Sequence, residues 1–88
     1  MIEREATIVN QEGLHARPAA KIVRLASTFD SEVELFKDGV AVNGKSIMGV
    51  MMLAAECGSS ILIRADGPDA EKAVEAISRL VAEGFGEP

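Results

Sequence analysis

The Asp38-Gly39 pair near the middle of the chain constrains the fold more than any other local feature. Both central positions of a tight two-residue β-turn need a positive φ, which Asp and Gly tolerate better than most residues. Before the pair, Val33 and Leu35 alternate with glutamates, and residues 40–43 have the composition of a returning strand. The sequence therefore predicts a β-hairpin, and with it an antiparallel strand pair in the middle of the chain.

The segments on either side of the hairpin are predicted from the spacing of their apolar residues. Residues 2–9 and 60–65 alternate apolar and polar side chains, as half-buried strands do, with Ile61 and Ile63 facing inward. A helix after the first strand carries the apolar set Ala19, Ile22, Val23 and Ala26. A last helix, with Pro68 in its first turn and Gly84 at its end, carries the stripe Ala70, Val74, Ile77 and Val81.

A short apolar helix is predicted between the hairpin and the fourth strand. Ser46 is a favourable N-cap, the helix runs from Ile47 to about Cys57, and Gly58 can end it in the left-handed conformation. The element order is then βαββαβα. This order predicts an α+β fold, an open-faced β-sandwich in which three helices cover one face of a four-stranded antiparallel sheet.

Length and composition narrow the class of protein. The chain has 88 residues, enough for one domain spanning residues 1–88, and its single cysteine excludes an internal disulfide. A net charge of −5 without any Trp or Tyr argues against nucleic-acid binding. The first nine residues lack a signal-peptide pattern, and no apolar run is long enough to span a membrane. We expect a cytoplasmic, monomeric protein without direct membrane insertion.

The one histidine, His15, lies just before the first helix. A lone histidine is more often solvated or structural, but helix N-termini present amides without backbone partners, which attract anions. Ala16, Arg17 and Ala19 offer such amides, and Pro18 loses nothing because it has none. Because a residue before proline avoids helical geometry, the helix can also begin at Arg17 or Pro18.

The residues around His15 suit phosphoryl transfer. A neutral imidazole is a nucleophile near pH 7, and a phosphorylated imidazole is a good leaving group that can pass its phosphoryl group onward. The Arg17 guanidinium adds forked donors that match phosphate oxygens. One histidine and one cysteine far apart do not form a metal site, and the sequence indicates no cofactor and no catalytic triad. We therefore predict a phosphoryl carrier in a transferase relay rather than a free-standing enzyme.

Two motifs carry a resemblance to a known family. Residues 13–19, GLHARPA, and residues 45–49, KSIMG, closely resemble the motifs of HPr, the histidine-containing phosphocarrier of the bacterial phosphotransferase system, and the similarity covers essentially the whole chain. The resemblance implies that His15 accepts a phosphoryl group on Nδ1 from phosphorylated enzyme I, which takes it from phosphoenolpyruvate, and donates it to enzyme IIA domains. It also implies that Arg17 assists at the phosphoryl group.

The same resemblance raises two further points. Ser46 matches the position that a regulatory kinase, the HPr kinase/phosphorylase, modifies in some family members. Glu12 departs from the family pattern, since many relatives have Ser or Thr there. A carboxylate at that position would repel a phosphoryl group, so we expect Glu12 to face solvent.

A basic stripe on the first helix indicates a docking surface. Arg17, Lys21 and Arg24 are spaced i, i+4 and i+7 along one helix face. Alone, such a run is typical of a solvated face, but beside His15 it favours contact with acidic partners.

The second helix extends this surface. A helix on an open sheet buries only one side, so if Ile47, Val50 and Ala54 face the sheet, some methionines stay exposed. Plain core packing of Met48 and Met51 is the alternative. The predicted contact surface comprises Arg17, Ala20, Lys21, Arg24, Ile47, Met48 and Met51.

The sequence is also compatible with other functions. The chain can be a nitrogen-related phosphotransferase paralogue, or a regulatory interaction module controlled through Ser46 with His15 idle. Residues 39–46 also fit the P-loop pattern GxxxxGK[ST]. Val40 and Val42 are strand formers after a turn, however, and the chain is too short for a nucleotide-binding doubly wound sheet, which disfavours an NTPase.

Overall fold

The computed structural model describes residues 1–88 and contains four strands, three α-helices and one 3-10 turn. In chain order these are β1 (Ile2–Thr7), α1 (Ala16–Ala26), β2 (Glu32–Lys37), β3 (Val40–Asn43), α2 (Ile47–Met52), β4 (Ser60–Asp66), α3 (Ala70–Ala82) and the 3-10 turn Gly84–Gly86. This order confirms the predicted βαββαβα arrangement. No helix is both long enough and apolar enough to cross a bilayer.

The sheet is antiparallel throughout, with the strand order β1-β4-β2-β3. β4 therefore lies inside the sheet, and its Ile63 is opposite Arg4 on one side and Leu35 on the other. The hairpin between β2 and β3 is confirmed: Asp38 has a φ of 48° and Gly39 a φ of 81°. These are the positive values that the two-residue turn requires.

The hydrophobic core lies between one face of the sheet and the helices. Ile61 and Ile63 of β4 and Leu35 of β2 are buried and alternate with more exposed neighbours, as predicted. The helices contribute the buried residues Ala19, Ile22, Ala26, Ala70, Ala73, Val74, Ile77 and Val81. The other face of the sheet has no helix on it, which confirms the open-faced architecture.

The helix α2 is shorter than predicted. It ends at Met52, and the left-handed conformation that the sequence predicts for Gly58 is taken by Ala54, with a φ of 50°. The Ala55 carbonyl accepts a hydrogen bond from the Leu14 amide at 2.9 Å, so the chain leaves the helix early to join the loop before His15. Gly58, also at positive φ, belongs instead to the next turn.

Three other boundaries differ from the prediction by one or two residues. β1 ends at Thr7 rather than residue 9, because the partner strand turns away there: the Ser59 amide donates to the Glu56 carbonyl instead of to β1. β4 extends to Asp66. Pro68 precedes α3 instead of entering its first turn, since Asp69 is the N-cap.

Candidate functional site

A tight loop holds His15 at the start of α1. Gly13 has a φ of 68°, and a Cβ at this position would lie 2.3 Å from the Ala55 carbonyl oxygen, so only glycine fits. The next side chain, Leu14, is buried in the core. His15 then becomes the extended N-cap of α1, with φ −74° and ψ −172°. Its imidazole therefore lies next to the N-terminus of α1.

The helix N-terminus beside His15 keeps free donors. α1 begins at Ala16, although Arg17 precedes a proline. The Ala19 amide donates to the His15 carbonyl at 3.0 Å, so the prediction of a free amide at Ala19 is wrong. The amides of Ala16 and Arg17 lie in the first turn without an intrahelical acceptor, and no acidic residue occupies this turn. No residue of the first turn itself therefore offsets the partial positive charge of the helix end.

The imidazole is bound on one side only. His15 Nε2 lies 2.8 Å from Glu87 Oε1, and 36% of the His15 side chain is exposed. The hydrogen bond from His15 is the largest cause that lowers the pKa of Glu87, so this carboxyl group is ionised at neutral pH. An ionised carboxylate can only accept hydrogen bonds. In the neutral imidazole, this bond places the ring proton on Nε2 and leaves the lone pair on Nδ1.

The segment after α3 brings Glu87 to this place. Gly84 ends the helix as predicted, with a φ of 64°, and the Phe85 side chain is buried in the core. Lys21 Nζ donates to the Phe85 carbonyl at 2.6 Å, and the Gln11 amide donates to the Pro88 carbonyl at 2.8 Å. The tail, residues 84–88, is therefore fastened to α1 and to the loop before it.

One buried polar side chain, that of Asn10, is hydrogen-bonded to Glu87. Asn10 is 1% exposed, and its Nδ2 donates to the Gly13 carbonyl at 2.8 Å and to Glu87 Oε1 at 3.1 Å. We did not predict a role for either Asn10 or Glu87. No local pattern indicates that a carboxylate 72 positions further along the chain lies next to His15.

The predicted residues around His15 occupy different environments. Arg17 is exposed and makes no ion pair, and it lines an open concavity together with His15, Glu12 and Glu87. Glu12 is exposed, as expected. Lys21 is partly buried, and its ammonium group donates to the Phe85 carbonyl of the tail, so it is less exposed than the other cations of the basic stripe.

The residues of α2 divide into a capped end and an apolar surface. Ser46 is the N-cap, and its Oγ accepts a hydrogen bond from the Gly49 amide at 3.1 Å. Met48 is 74% exposed and Met51 42% exposed, so neither packs in the core. Of the three residues expected to face the sheet only Val50 is buried, whereas Ile47 and Ala54 are exposed.

The exposed side chains of α2 form one patch, which we call the methionine patch: Ile47, Met48, Met51 and Met52. The helix α2 packs beside α1. Apolar and basic surface therefore adjoin each other close to the start of α1. Ala20, also in the predicted contact surface, is half-buried on α1.

Comparison with known proteins gives matches along the whole chain. A family model described as the PTS HPr component phosphorylation site matches residues 2–83. The chain is 49% identical over 87 residues to the phosphocarrier protein HPr of Cupriavidus necator, covering 99% of this chain and 98% of that one. It is 48% identical over 87 residues to the phosphocarrier protein HPr of Treponema pallidum, covering 99% of each.

Solved structures agree with these matches. HPr-C-His from Thermoanaerobacter tengcongensis has a TM-score of 0.95 and 44% sequence identity, covering 100% of this chain and 99% of that one. A phosphocarrier protein HPr from Bacillus anthracis has a TM-score of 0.87 at 44% identity, covering 91% and 95%. The fold and these relatives define the class, a small phosphocarrier of the bacterial phosphotransferase system. The chain belongs to the HPr family.

Proposed function

We propose that this chain accepts a phosphoryl group on His15 Nδ1 from phosphorylated enzyme I in the cytoplasm and passes it to enzyme IIA domains. The observation that carries this proposal is the 2.8 Å bond between His15 Nε2 and the Glu87 carboxylate, which leaves the Nδ1 lone pair available. Membership of the HPr family supports the same assignment. The group originates from phosphoenolpyruvate.

The surroundings of His15 suit a phosphoryl group that must remain accessible. The free amides of Ala16 and Arg17 and the positive end of α1 stabilise its negative oxygens. The exposed Arg17 guanidinium can add a forked pair of hydrogen bonds. Because the concavity is open, a second protein can approach the phosphorus atom without any rearrangement of the core.

The partner proteins are proposed to dock on the surface formed by α1 and α2. Arg17 and Arg24 attract acidic groups, and the methionine patch offers adaptable apolar contact. The docking surface comprises Arg17, Ala20, Arg24, Ile47, Met48 and Met51, with Lys21 contributing less because its ammonium already binds the tail.

Transfer of labelled phosphate from phosphoenolpyruvate through enzyme I tests this function. We expect the chain to gain an acid-labile, base-stable phosphate, as a phosphoramidate requires. His15→Ala should abolish the labelling completely, and Ser46→Ala should leave it unchanged. An unlabelled wild-type chain, or labelling that survives in His15→Ala, would contradict the proposal.

Ser46 is proposed as a regulatory site for an HPr kinase/phosphorylase. Its hydroxyl is part of the α2 N-cap, next to the methionine patch, so phosphate there would add a charge of about −1.5 to −2 beside the docking surface. We expect weaker docking of acidic partners without unfolding. Labelling from ATP with the kinase would give an acid-stable ester, and a chain that gains only this ester would be a regulatory module instead of a carrier.

A further inference from the structure

Asn10 and Glu87 contact the His15 site, yet neither belongs to the motif around the histidine. Asn10 is almost completely buried, and its amide group donates to the backbone at Gly13 and to the Glu87 carboxylate. Glu87 Oε1 accepts from both Asn10 and His15. The imidazole is therefore connected through one carboxylate oxygen to a side chain fixed inside the protein.

The orientation of the Asn10 amide follows from its partners. With Nδ2 and Oδ1 exchanged, an oxygen would face two acceptors, the Gly13 carbonyl and the Glu87 carboxylate, which is unfavourable. In the orientation observed, Asn10 Oδ1 is buried without a hydrogen-bond partner. The two hydrogen bonds from Nδ2 therefore set this orientation, although it leaves Oδ1 unpaired.

Building on the carrier function proposed above, we propose that Asn10 and Glu87 are positioning residues for phosphoryl transfer. Asn10 fixes the Glu87 carboxylate, and Glu87 keeps the proton on His15 Nε2 through the whole transfer cycle. A carboxylate that orients an imidazole and balances its charge is a general arrangement in group transfer.

No proton moves to or from His15 during the proposed phosphoryl transfer. When the ring accepts the group, the Nδ1 lone pair forms the bond to phosphorus, and the bond from phosphorus to the donor breaks with its electron pair staying on the donor. Nε2 keeps its proton, so the ring becomes positive beside Glu87. When the ring donates, a nucleophile of the acceptor protein forms the new bond, and the electron pair of the N–P bond returns to Nδ1.

The other charged groups near the ring cannot replace Glu87. Arg17 and Lys21 on α1 are positive and oppose a positive ring. Glu12, on the loop before α1, is exposed and makes no hydrogen bond to His15. Glu87 on the tail is the one carboxylate bonded to the imidazole, and its side chain is only 15% exposed. Glu87 is therefore the residue that balances the positive charge of the phosphorylated ring.

The position of the ring proton can be measured by nitrogen NMR on chains with labelled histidine, without any donor protein. In the wild type we expect the proton on Nε2. Glu87→Ala should give a mixture of both tautomers and lower the rate of phosphoryl transfer about tenfold or more, the size expected when a hydrogen bond to a charged group is lost. Glu87→Gln keeps an acceptor, so it should keep the tautomer and still slow the transfer.

A matched control and a second position complete the test. Glu83→Gln neutralises an exposed carboxylate that makes no contact with His15, and both the tautomer and the rate should stay unchanged. Asn10→Ser shortens the side chain that holds the Glu87 carboxylate and should loosen it, giving part of the Glu87→Ala effect.

Three results would overturn the positioning roles: a proton on Nδ1 in the wild type, no tautomer change in Glu87→Ala, or a changed tautomer with an unchanged transfer rate. These results are distinct from failure of the carrier function, in which the wild type itself takes no label from the donor.

Discussion

Asp69 shows how a single side chain joins two distant segments. Its Oδ1 accepts hydrogen bonds from the Ser31 amide at 2.9 Å and the Ser31 hydroxyl at 2.5 Å, and its Oδ2 accepts from the Asp30 amide at 2.9 Å. The Ser31 hydroxyl is the largest cause that lowers the pKa of Asp69, followed by the Asp30 amide. The loop between α1 and β2 is in this way attached to the start of α3.

The acid sensitivity of folding follows from this carboxylate. The folded pKa of Asp69 lies below its ordinary value of 3.8, so the stability it contributes is present above that value and is lost as the pH falls through the folded pKa. We expect Asp69→Asn to lower the free energy of unfolding at pH 7 and to reduce its dependence on pH below about 4.

Urea unfolding followed from pH 7 to pH 2 measures this effect. Asp66→Asn is the matched control, because Asp66 is exposed and its contact is the terminal amine at 3.7 Å. An Asp69→Asn variant with the acid profile of the wild type would contradict the assignment.

Among the elements, the hairpin and the long helices follow directly from the sequence, whereas the end of α2 does not. Asp38-Gly39 and the apolar stripe of α3 are local patterns, and both produce the structure that they predict. The apolar composition of residues 47–57 favours a continuous helix. Its early end at Met52 depends on the bond between Leu14 and Ala55, which connects segments 41 positions apart. Local propensity carries no information about such a contact.

Variants of Ser46 can distinguish the contribution of this residue to the stability of α2 from its proposed regulatory role. The helix has only six residues and includes Gly49, so its N-cap matters. Ser46→Ala should lower the free energy of unfolding by about 1 kcal/mol, because the Gly49 amide loses its acceptor. Ser46→Asp restores an acceptor and adds a negative charge.

Two measurements distinguish these effects. Denaturant unfolding should place Ser46→Asp near the wild type and Ser46→Ala below it. Binding to enzyme IIA should be weaker for Ser46→Asp and nearly unchanged for Ser46→Ala. Equal binding by both variants would remove the proposed electrostatic basis of regulation.

Over the whole molecule, charge is distributed unevenly between the two sides of the sheet. The open face carries the carboxylates Glu3, Glu5, Glu32, Glu34 and Asp66, as strand register and exposure show. On the same face Arg64 donates to Glu3 at 2.6 Å and lies 4.4 Å from the centre of the Phe36 ring, and the terminal amine lies 3.7 Å from Asp66. The exposed arginines Arg17 and Arg24 are on α1, on the opposite, helix-covered side. Such a charge separation orients an acidic partner toward α1.

This distribution predicts a salt-dependent encounter with enzyme IIA. The association rate constant should fall as ionic strength rises, with little change in the dissociation rate. Arg24→Glu should lower the association rate several-fold at low salt. Lys72→Glu makes the same charge change on the exposed surface of α3 and should have a much smaller effect. Stopped-flow binding compares the two variants, and equal losses in both would show that only net charge matters.

The site was predictable where its parts are close in sequence. His15, Arg17 and the amide of Ala16 lie within one short motif, and helix geometry alone places them together. Glu87 and Asn10 could not be found in this way, since their contacts with the site depend on how the tail packs after α3. The hydrogen bond from the Lys21 ammonium group to the Phe85 carbonyl could not be predicted for the same reason.

The separation of 72 positions between His15 and Glu87 has a consequence for protein synthesis. A ribosome releases the chain from its first residue onward, so the histidine emerges long before its anchoring carboxylate. Until residues 84–88 have packed beside α1, His15 lacks its Glu87 partner and Asn10 has no carboxylate to hold. The pairing of imidazole and carboxylate is therefore a property of the completed fold, and a folding intermediate whose tail has not yet packed lacks it.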